Sequence, residues 1–300
     1  MQQKVIALGF FDGVHIGHGA LLRKTVQRAQ EGSFVPVAFT FDRAPREAVF
    51  GTPVPLINSS ADRALLMQRL YGVEEVIIAP FDRDMMTMGW EAFVEMLLRD
   101  HGAVHLVAGH DFRFGHKNEG DAEKLRQKCL ALGIGCDIVE EVKLEGITVS
   151  STHIRSLLEQ GDIEQANRFL GHPHLLSRTV TEGLHLGRTI GIPTINFSAP
   201  ETLILPKDGV YVSTVTLPDG QTLLGVTNVG CRPTVGGKHR TVETFLLDFS
   251  GDLYGVELQL AFRARLRDEA KFSSLDALRQ QIEIDISMAR ECFSHGVSPF

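Results

Sequence analysis

Leu8-Gly9-Phe10-Phe11-Asp12-Gly13-Val14-His15-Ile16-Gly17-His18 ends the first apolar run of the chain and opens its first helix. The run before it, from Lys4 to Gly9, reads as a strand that stops in a glycine-containing turn. Two histidines separated by an Ile-Gly pair stand where the helix begins. Unsatisfied N–H groups and the positive end of the helix dipole make such a point an anion site. Gly17 lets a phosphate approach the backbone closely, and His15 and His18 add donors. Chemistry on a triphosphate needs donors fixed in this way more than it needs a protein nucleophile.

Outward from that stretch, the first half alternates strand and helix. Strand-like runs lie at Val5–Gly9, Val35–Phe41, Glu75–Ala79, Leu106–Gly109 and Ile138–Val142. Amphipathic helical stretches lie near Ala20–Gln30, Ala61–Leu70, Trp90–Asp100 and Ala122–Ala131. Near-continuous apolar strands between such helices predict an α/β fold with a doubly wound parallel sheet. Ligands of such sheets sit beyond the carboxyl ends of the strands. Three polar clusters follow strand ends: His15 with His18, the loop Asp111-Phe112-Arg113-Phe114-Gly115, and Ser150-Ser151-Thr152-His153-Ile154-Arg155. Taken singly each has a plain structural reading, as a helix cap or as surface charge. Their conjunction at one sheet edge favours a site.

The boundary between halves falls at Gly171-His172-Pro173, where a glycine cap and a proline end a helix. The expected domains are 1–171 and 172–300. Beyond the boundary, short β-branched runs are separated by turn signals: Ser177–Glu182, Gly209–Leu217, Gln221–Val229, Thr241–Phe249 and Glu257–Leu266. Strands at this spacing without intervening helices predict a small antiparallel barrel. One helix closes the chain, with Leu275, Leu278, Ile282, Ile286, Ala289 and Phe293 on one face and Ser273 with Asp276 as its capping box.

Two features of the second half carry chemistry. In the first, Gly187-Arg188-Thr189-Ile190-Gly191-Ile192-Pro193-Thr194-Ile195-Asn196, the glycines flank a cation and allow close phosphate approach. Thr194 and Asn196 offer oxygens to a hard cation such as Mg²⁺; the alternative is an ordinary Gly/Pro loop. In the second, strand parity aligns Glu243 with Phe245, Leu247 and Phe249, an expensive place for a carboxylate unless it is paired or used. A salt bridge and a general base for a hydroxyl nucleophile both satisfy that condition.

Composition narrows the class. The hydrophobic share of 43% and charged share of 22% describe an ordinary globular chain long enough for two cores. A net charge of -7 argues against nucleic acid or an acidic membrane as partner. No apolar run approaches the roughly 20 residues of a membrane span, and a strand near residue 4 leaves no room for a signal peptide. The four cysteines form neither a CxxC nor a zinc spacing, as expected of reduced thiols in the cytoplasm.

The motifs FDGVHIGH, TFDRAPRE, AGHDFRFG, SSTHIR and EQGDIEQANRFLG resemble the adenylyltransferase module of bacterial bifunctional riboflavin kinase/FAD synthetases. GRTIGIPTIN, LPKDGVYV, TNVGCRPTVGG, VETFLLDFSGDLYG and LRDEAKFSSLDALRQQI resemble the riboflavin kinase barrel of the same family. The resemblance implies two ATP-dependent steps, riboflavin to FMN and FMN to FAD with release of pyrophosphate. In the first half it implies that His15 and His18 act on the ATP phosphates, within a phosphate-binding set of Gly9, Gly17, Ser151, Thr152 and Arg155. Asp111, Phe112 and Phe114 would shape the flavin cleft. In the second half it implies Glu243 as base for the ribityl hydroxyl, with Mg²⁺ on Thr194 and Asn196. Gly187, Arg188 and Gly191 would form the phosphate loop, and Arg267 the flavin-side flap.

The first module departs from the family pattern at Phe10 (usually Asn), Arg43-Ala44 (usually Pro-His) and Asn118 (usually Arg). The second departs at Ile195 (usually Ala), Arg178, His172 and His174. Two alternatives follow: a riboflavin kinase with a weakened first module, and a flavin-binding sensor without turnover. The chain has no Walker A sequence and no GxGxxG after its first strand, which sets aside P-loop and NAD-binding readings.

Overall fold

The computed structural model describes residues 2–45, 47, 51, 53–182, 192–198, 202–234 and 237–294. The chain divides into two compact units, residues 1–151 and 152–300.

The first unit is built on five parallel strands, β1 (Lys4–Leu8), β2 (Val35–Phe41), β3 (Glu75–Ala79), β4 (Ala103–Gly109) and β5 (Gly135–Val139). Their order is β3-β2-β1-β4-β5. Helices α1 (Ile16–Gly32), α2 (Ser60–Tyr71), α3 (Arg83–Thr87), α4 (Trp90–His101) and α5 (Ala122–Leu132) connect them. β1 is central, and Val5, Ile6, Ala7 and Leu8 are all buried. That explains its unbroken apolar run: a central parallel strand is covered on both faces. Ile6 and Leu8 share a core with Phe93, Val94 and Leu97 of α4 and Leu125 of α5, while α1 packs along β1 and β2. Strand order reverses between β1 and β4, so the crevice for ligands opens where the chain leaves those two strands. Helix α3 and the small hairpin β6 (Lys143–Leu144) with β7 (Ile147–Thr148) are too short to leave a periodic signal.

The second unit contains α6 (Ser151–Gln160), which begins at the division, and α7 (Ile163–Leu170). Six strands close into a barrel in the order β10-β11-β12-β9-β8-β13. They are β8 (His174–Thr181), β9 (Thr194–Ser198), β10 (Gly209–Thr216), β11 (Thr222–Thr234), β12 (Gly237–Leu246) and β13 (Glu257–Arg267). Pro218-Asp219-Gly220 forms the β10–β11 turn, with Gly220 at φ 88° and the Gln221 N–H donating to Asp219 Oδ1 at 2.9 Å. The division lies upstream of the Gly171–His172 step because α7 is bonded to the barrel. The Asn167 amide donates to the Phe262 carbonyl at 2.9 Å, and its oxygen accepts from the His174 N–H at 2.8 Å.

Inside the barrel the hydroxyls of Ser213, Thr227 and Thr244 bond in a chain at 2.6 and 2.8 Å, all fully buried. Outside, Val210, Val212, Val226 and Leu247 pack with Ile286, Ala289 and Cys292 of α8 (Leu275–Ser294). Both faces of β12 are therefore covered, which is why its sequence alternates so poorly. Helix α8 is pinned by a two-pronged ion pair. Arg267 Nε and its terminal nitrogen donate to the buried Asp285 carboxylate at 3.0 and 2.7 Å. Removing one partner of such a pair costs about 3–5 kcal/mol.

Three expectations are corrected. Thr194–Ser198 is a barrel strand and not loop, since pairing with β12 outweighs the preceding glycines and proline. The closing helix is capped by Ser274, whose Oγ accepts from the Ala277 N–H at 3.2 Å, and not by Ser273; Leu275 is 57% exposed. β12 stops at Leu246, short of Phe249, where Asp248 turns the chain at φ 57°. No helix among the described residues is long and apolar enough to cross a membrane.

In the first unit Asp137 of β5 accepts from Arg28 Nε at 2.6 Å and from its terminal nitrogen at 3.0 Å, and contacts His105 Nε2 at 2.8 Å. The Arg28 hydrogen bonds, reinforced by His105, hold the Asp137 carboxyl below its ordinary range. A depressed carboxyl pKa contributes stability above the unfolded value, near 4, and that contribution is lost as pH falls through the folded value. Asp137→Asn should therefore destabilise this unit at pH 7 by about 1–2 kcal/mol, with the gap to wild type closing below about pH 4. Urea unfolding followed by the single tryptophan, Trp90, measures this unit directly.

Candidate functional site

The first site grows from the turn between β1 and α1. Three of four successive residues need unusual backbone here: Phe11 at φ 56°, Gly13 at 80° and Val14 at 41°. The turn is closed by the Val14 N–H donating to the Phe11 carbonyl at 3.0 Å. Positive φ at a β-branched residue such as Val14 is costly, so outside contacts must hold it. Asp12, 2% exposed, accepts from the Ile57 N–H at 2.9 Å. The Asp12 carbonyl in turn accepts from the Ser151 hydroxyl at 2.8 Å. Ser151 thus fastens the turn, a role beyond the helix cap or phosphate contact read from the sequence.

His15 is the N-cap of α1, and its Nδ1 accepts from the His18 N–H at 3.2 Å. An accepting Nδ1 carries no proton, so the neutral ring keeps its proton on Nε2 as a donor. The two imidazoles stack at 3.6 Å, and Phe11 closes on His18 edge-on at 5.2 Å. Burial first, then the neighbouring His15 and Arg63, push the His18 pKa well below its ordinary value. His18 is therefore neutral near pH 7, and its buried Nδ1 has no hydrogen-bond partner among the described residues. A neutral pair at a helix N-terminus suits an anion that brings its own charge. At Gly17 a Cβ would lie 3.1 Å from His15 Nδ1, a tight contact to which the ring would have to yield by a few tenths of an ångström; at Gly9 it would strike the Phe11 ring at 2.9 Å.

The departures in this module leave both rings in place. Phe10 lies over Arg63 at 4.4 Å, Ala44 is buried, and Asn118 occupies the left-handed region at φ 60°, which asparagine tolerates. In the loop after β4, Asp111 is exposed and Phe112 half-buried. Phe114 packs against Trp90 and Phe93 in the core and stacks behind Phe112 at 5.2 Å. An open hollow of about 410 Å³ beside this loop is lined by His110, Arg113, Arg126 and Glu140, but by neither His15 nor His18. Thr152 and Arg155 follow Ser151 along α6, exposed and half-buried respectively.

In the second unit, register assembles the site. Across the barrel wall Asn196 of β9 stands opposite Glu243 of β12, and Glu243 opposite Asn228 of β11. Directly opposed residues of antiparallel strands share a face, so the three form one polar row. Thr194, two residues before Asn196, belongs to the same face. Asn228 extends the row by donating to Glu269 at 3.2 Å. A cavity of about 230 Å³ opens beside Thr194, lined by Ile195, Leu246, Phe249, Leu253 and Tyr254. Among the described residues no cluster of His, Cys, Asp or Glu would hold a metal. The hydroxyl and amide oxygens of Thr194 and Asn196 do suit a hard cation shared with phosphates. Gly187, Arg188 and Gly191 lie outside the described residues. Arg267 is bound to Asp285, which leaves its proposed flavin contact to the rest of its surface.

Asp12, Arg63, Asn228 and Glu269 were not singled out by sequence. Asp12, Asn228 and Glu269 lie within quoted motifs without being marked there, whereas Arg63 lies in none and enters only through its tertiary hydrogen bonds.

A riboflavin kinase family model matches residues 170–293, and an FAD synthetase family model matches residues 1–153. A bifunctional riboflavin kinase/FMN adenylyltransferase of Pseudomonas fluorescens is 37% identical over 292 residues, 95% of this chain and 92% of that protein. One of Escherichia coli K12 is 35% identical over 290 residues, 96% of this chain and 92% of that protein. The fold matches a crystal structure from Streptococcus pneumoniae titled as a macrolide-efflux protein, with TM-score 0.85 and 31% identity over 96% of this chain and 94% of that one.

Gly17→Ala should crowd His15 Nδ1 and lengthen its bond to the His18 N–H. Loss of about 1.4 kcal/mol corresponds to tenfold weaker pyrophosphate binding, measurable by titration calorimetry. Unchanged affinity would mean that His15 does not face the anion.

Proposed function

Because the chain belongs to the bifunctional riboflavin kinase/FMN adenylyltransferase family, we propose that its two units run the family's two reactions at the two sites described above. The enzyme phosphorylates riboflavin with ATP to give FMN, and transfers AMP from a second ATP to FMN to give FAD and pyrophosphate. The observation that carries the two-site reading is that the His15–His18 pair and the Asn196–Glu243 row lie in separate compact units.

In the adenylyl step an oxygen of the FMN phosphate attacks the α-phosphorus of ATP, and the bond to the β-phosphate bridging oxygen breaks. No protein nucleophile is required, so catalysis is positioning and charge stabilisation. His15, donating from Nε2, and His18 stabilise the phosphates at the N-terminus of α1, where Gly9 and Gly17 keep the approach clear. Ser151 holds the turn, and Thr152 and Arg155 take the departing pyrophosphate. Asp111 and Phe112, supported by Phe114, face the flavin. We keep the functional boundary at 171/172, since Thr152 and Arg155 serve this reaction although the helix they stand on packs into the second unit.

In the kinase step Glu243 accepts the proton of the ribityl 5′-hydroxyl as its oxygen attacks the γ-phosphorus, and ADP leaves. Asn228 and Asn196 stand opposite Glu243 on the neighbouring strands and keep the row polar. Thr194 and Asn196 would hold Mg²⁺, which when bound offsets the negative charge of the phosphates. The phosphate loop of Gly187, Arg188 and Gly191 and the flavin contact of Arg267 complete this site. We place both reactions in the cytoplasm, a reading supported by four cysteines that form no disulfide.

Glu243→Gln should abolish FMN formation from riboflavin while adenylylation of supplied FMN continues at the wild-type rate. His15→Ala should do the reverse. Chromatographic separation of riboflavin, FMN and FAD over time measures both, and equal loss of the two activities in either variant would overturn the two-site assignment.

A further inference from the structure

Arg63 lies beneath the turn that carries the histidines, with 0% of its surface exposed. Among the described residues it has no ion-pair partner; its guanidinium donates only to neutral oxygens. One terminal nitrogen donates to the Phe10 carbonyl and, at 2.9 Å, to the Thr40 hydroxyl. The other donates to the Phe41 carbonyl at 2.8 Å. Thr40 in turn donates to the Phe10 carbonyl at 2.9 Å, so Arg63, Thr40 and Phe10 form a closed three-way lock. The Phe10 ring covers the guanidinium, and Nε is left buried without a partner.

This arrangement is expensive as a purely structural device. A buried cation without a carboxylate against it is normally eliminated or paired. An apolar side chain would fill the space beneath the turn without leaving Nε unsatisfied. Arginine does not deprotonate in a protein, so the charge persists. Its field reaches the histidine pair, since Arg63 is one of the groups that hold His18 neutral. Asp12 and Asp42 act on Arg63 through space, but neither carboxylate is in hydrogen-bond or ion-pair contact with the guanidinium, whose donors go to Phe10, Thr40 and Phe41. What the guanidinium lacks is an anion in direct contact with it, and the helix N-terminus above it is a place for one.

We propose that Arg63 is a positioning residue for adenylyl transfer, fixing the Phe10 carbonyl and hence the histidine turn, and lending its buried charge, which no carboxylate touches, to the binding of the ATP triphosphate. This rests on the reading that the His15–His18 pair is the adenylyltransferase site. The two roles separate by chemistry. Charge acts on phosphate binding and survives in lysine, whereas the two-sided grip on Phe10 and Phe41 needs the planar fork.

The test uses the full chain, with FAD formation from FMN and ATP as readout and riboflavin phosphorylation as internal control. Arg63→Met should raise KM for ATP by about tenfold or more and lower kcat, leaving riboflavin phosphorylation within about twofold of wild type. Arg63→Lys should restore most of KM for ATP but not kcat. Thr40→Val, which removes one member of the lock at nearly constant volume, should lower kcat several-fold with KM for ATP unchanged. Wild-type kcat and KM in Arg63→Met, or an Arg63→Lys variant as impaired in KM as Arg63→Met, would overturn the proposal. If Arg63→Met fails to fold, Thr40→Val decides, and wild-type kcat in that variant overturns it. His15→Ala with an undiminished rate of FAD formation would instead overturn the underlying site assignment.

Discussion

The carbonyl of Phe10 is gripped from below by Arg63 and Thr40, and two residues on the Asp12 carbonyl is gripped by Ser151. Between these holds the chain passes through positive φ at Phe11, Gly13 and Val14. A turn of that kind is unstable alone. It persists because β2, α2 and the start of α6, all distant in sequence, contribute a donor to it. The N-terminus of α1, with its stacked imidazoles, is oriented by the end of this turn. The proposed anion site therefore depends on long-range hydrogen bonds to two backbone oxygens as much as on the histidines.

The barrel reaches the same end by register. Thr194, Asn196, Glu243 and Asn228 are placed by strand pairing, so their separations follow from sheet geometry and need no loop to hold them. The Ser213–Thr227–Thr244 hydroxyl chain behaves as a polar interior whose members satisfy one another. On the outer face α8 seals the apolar part of the wall and is kept there by Arg267 and Asp285. A site at the margin of that sealed patch receives a partly dry environment, in which hydrogen bonds and charge interactions are stronger than in open water.

The two proposed sites contrast in electrostatics although both would act on ATP. The first sets an uncharged His18 at a helix N-terminus above the buried Arg63, with the Asp12 carboxylate turned to the Ile57 N–H, which would suit a reaction whose nucleophile and leaving group are both phosphates. The second places a carboxylate beside amides, which suits an alcohol that must lose a proton. One kind of site would serve the other reaction poorly: a carboxylate repels a phosphate nucleophile, and a neutral histidine pair already donating to phosphate leaves the hydroxyl proton without an acceptor.

What the sequence by itself determined was local. The alternation of strand and helix, the glycines around His15 and His18, the change to turn-rich strands after Gly171 and the parity of Glu243 all follow from periods of a few residues. Tertiary structure decided the rest. It made Thr194–Ser198 a strand by giving it β12 to pair with, and it moved Phe114 into the core. It spanned 53 residues to set Arg63 on Phe10, and 139 to set Ser151 on Asp12. Periodicity reports which face of an element is covered. It carries no information about which residue of another element completes a hydrogen bond, because that choice is made by the register and packing of the finished fold.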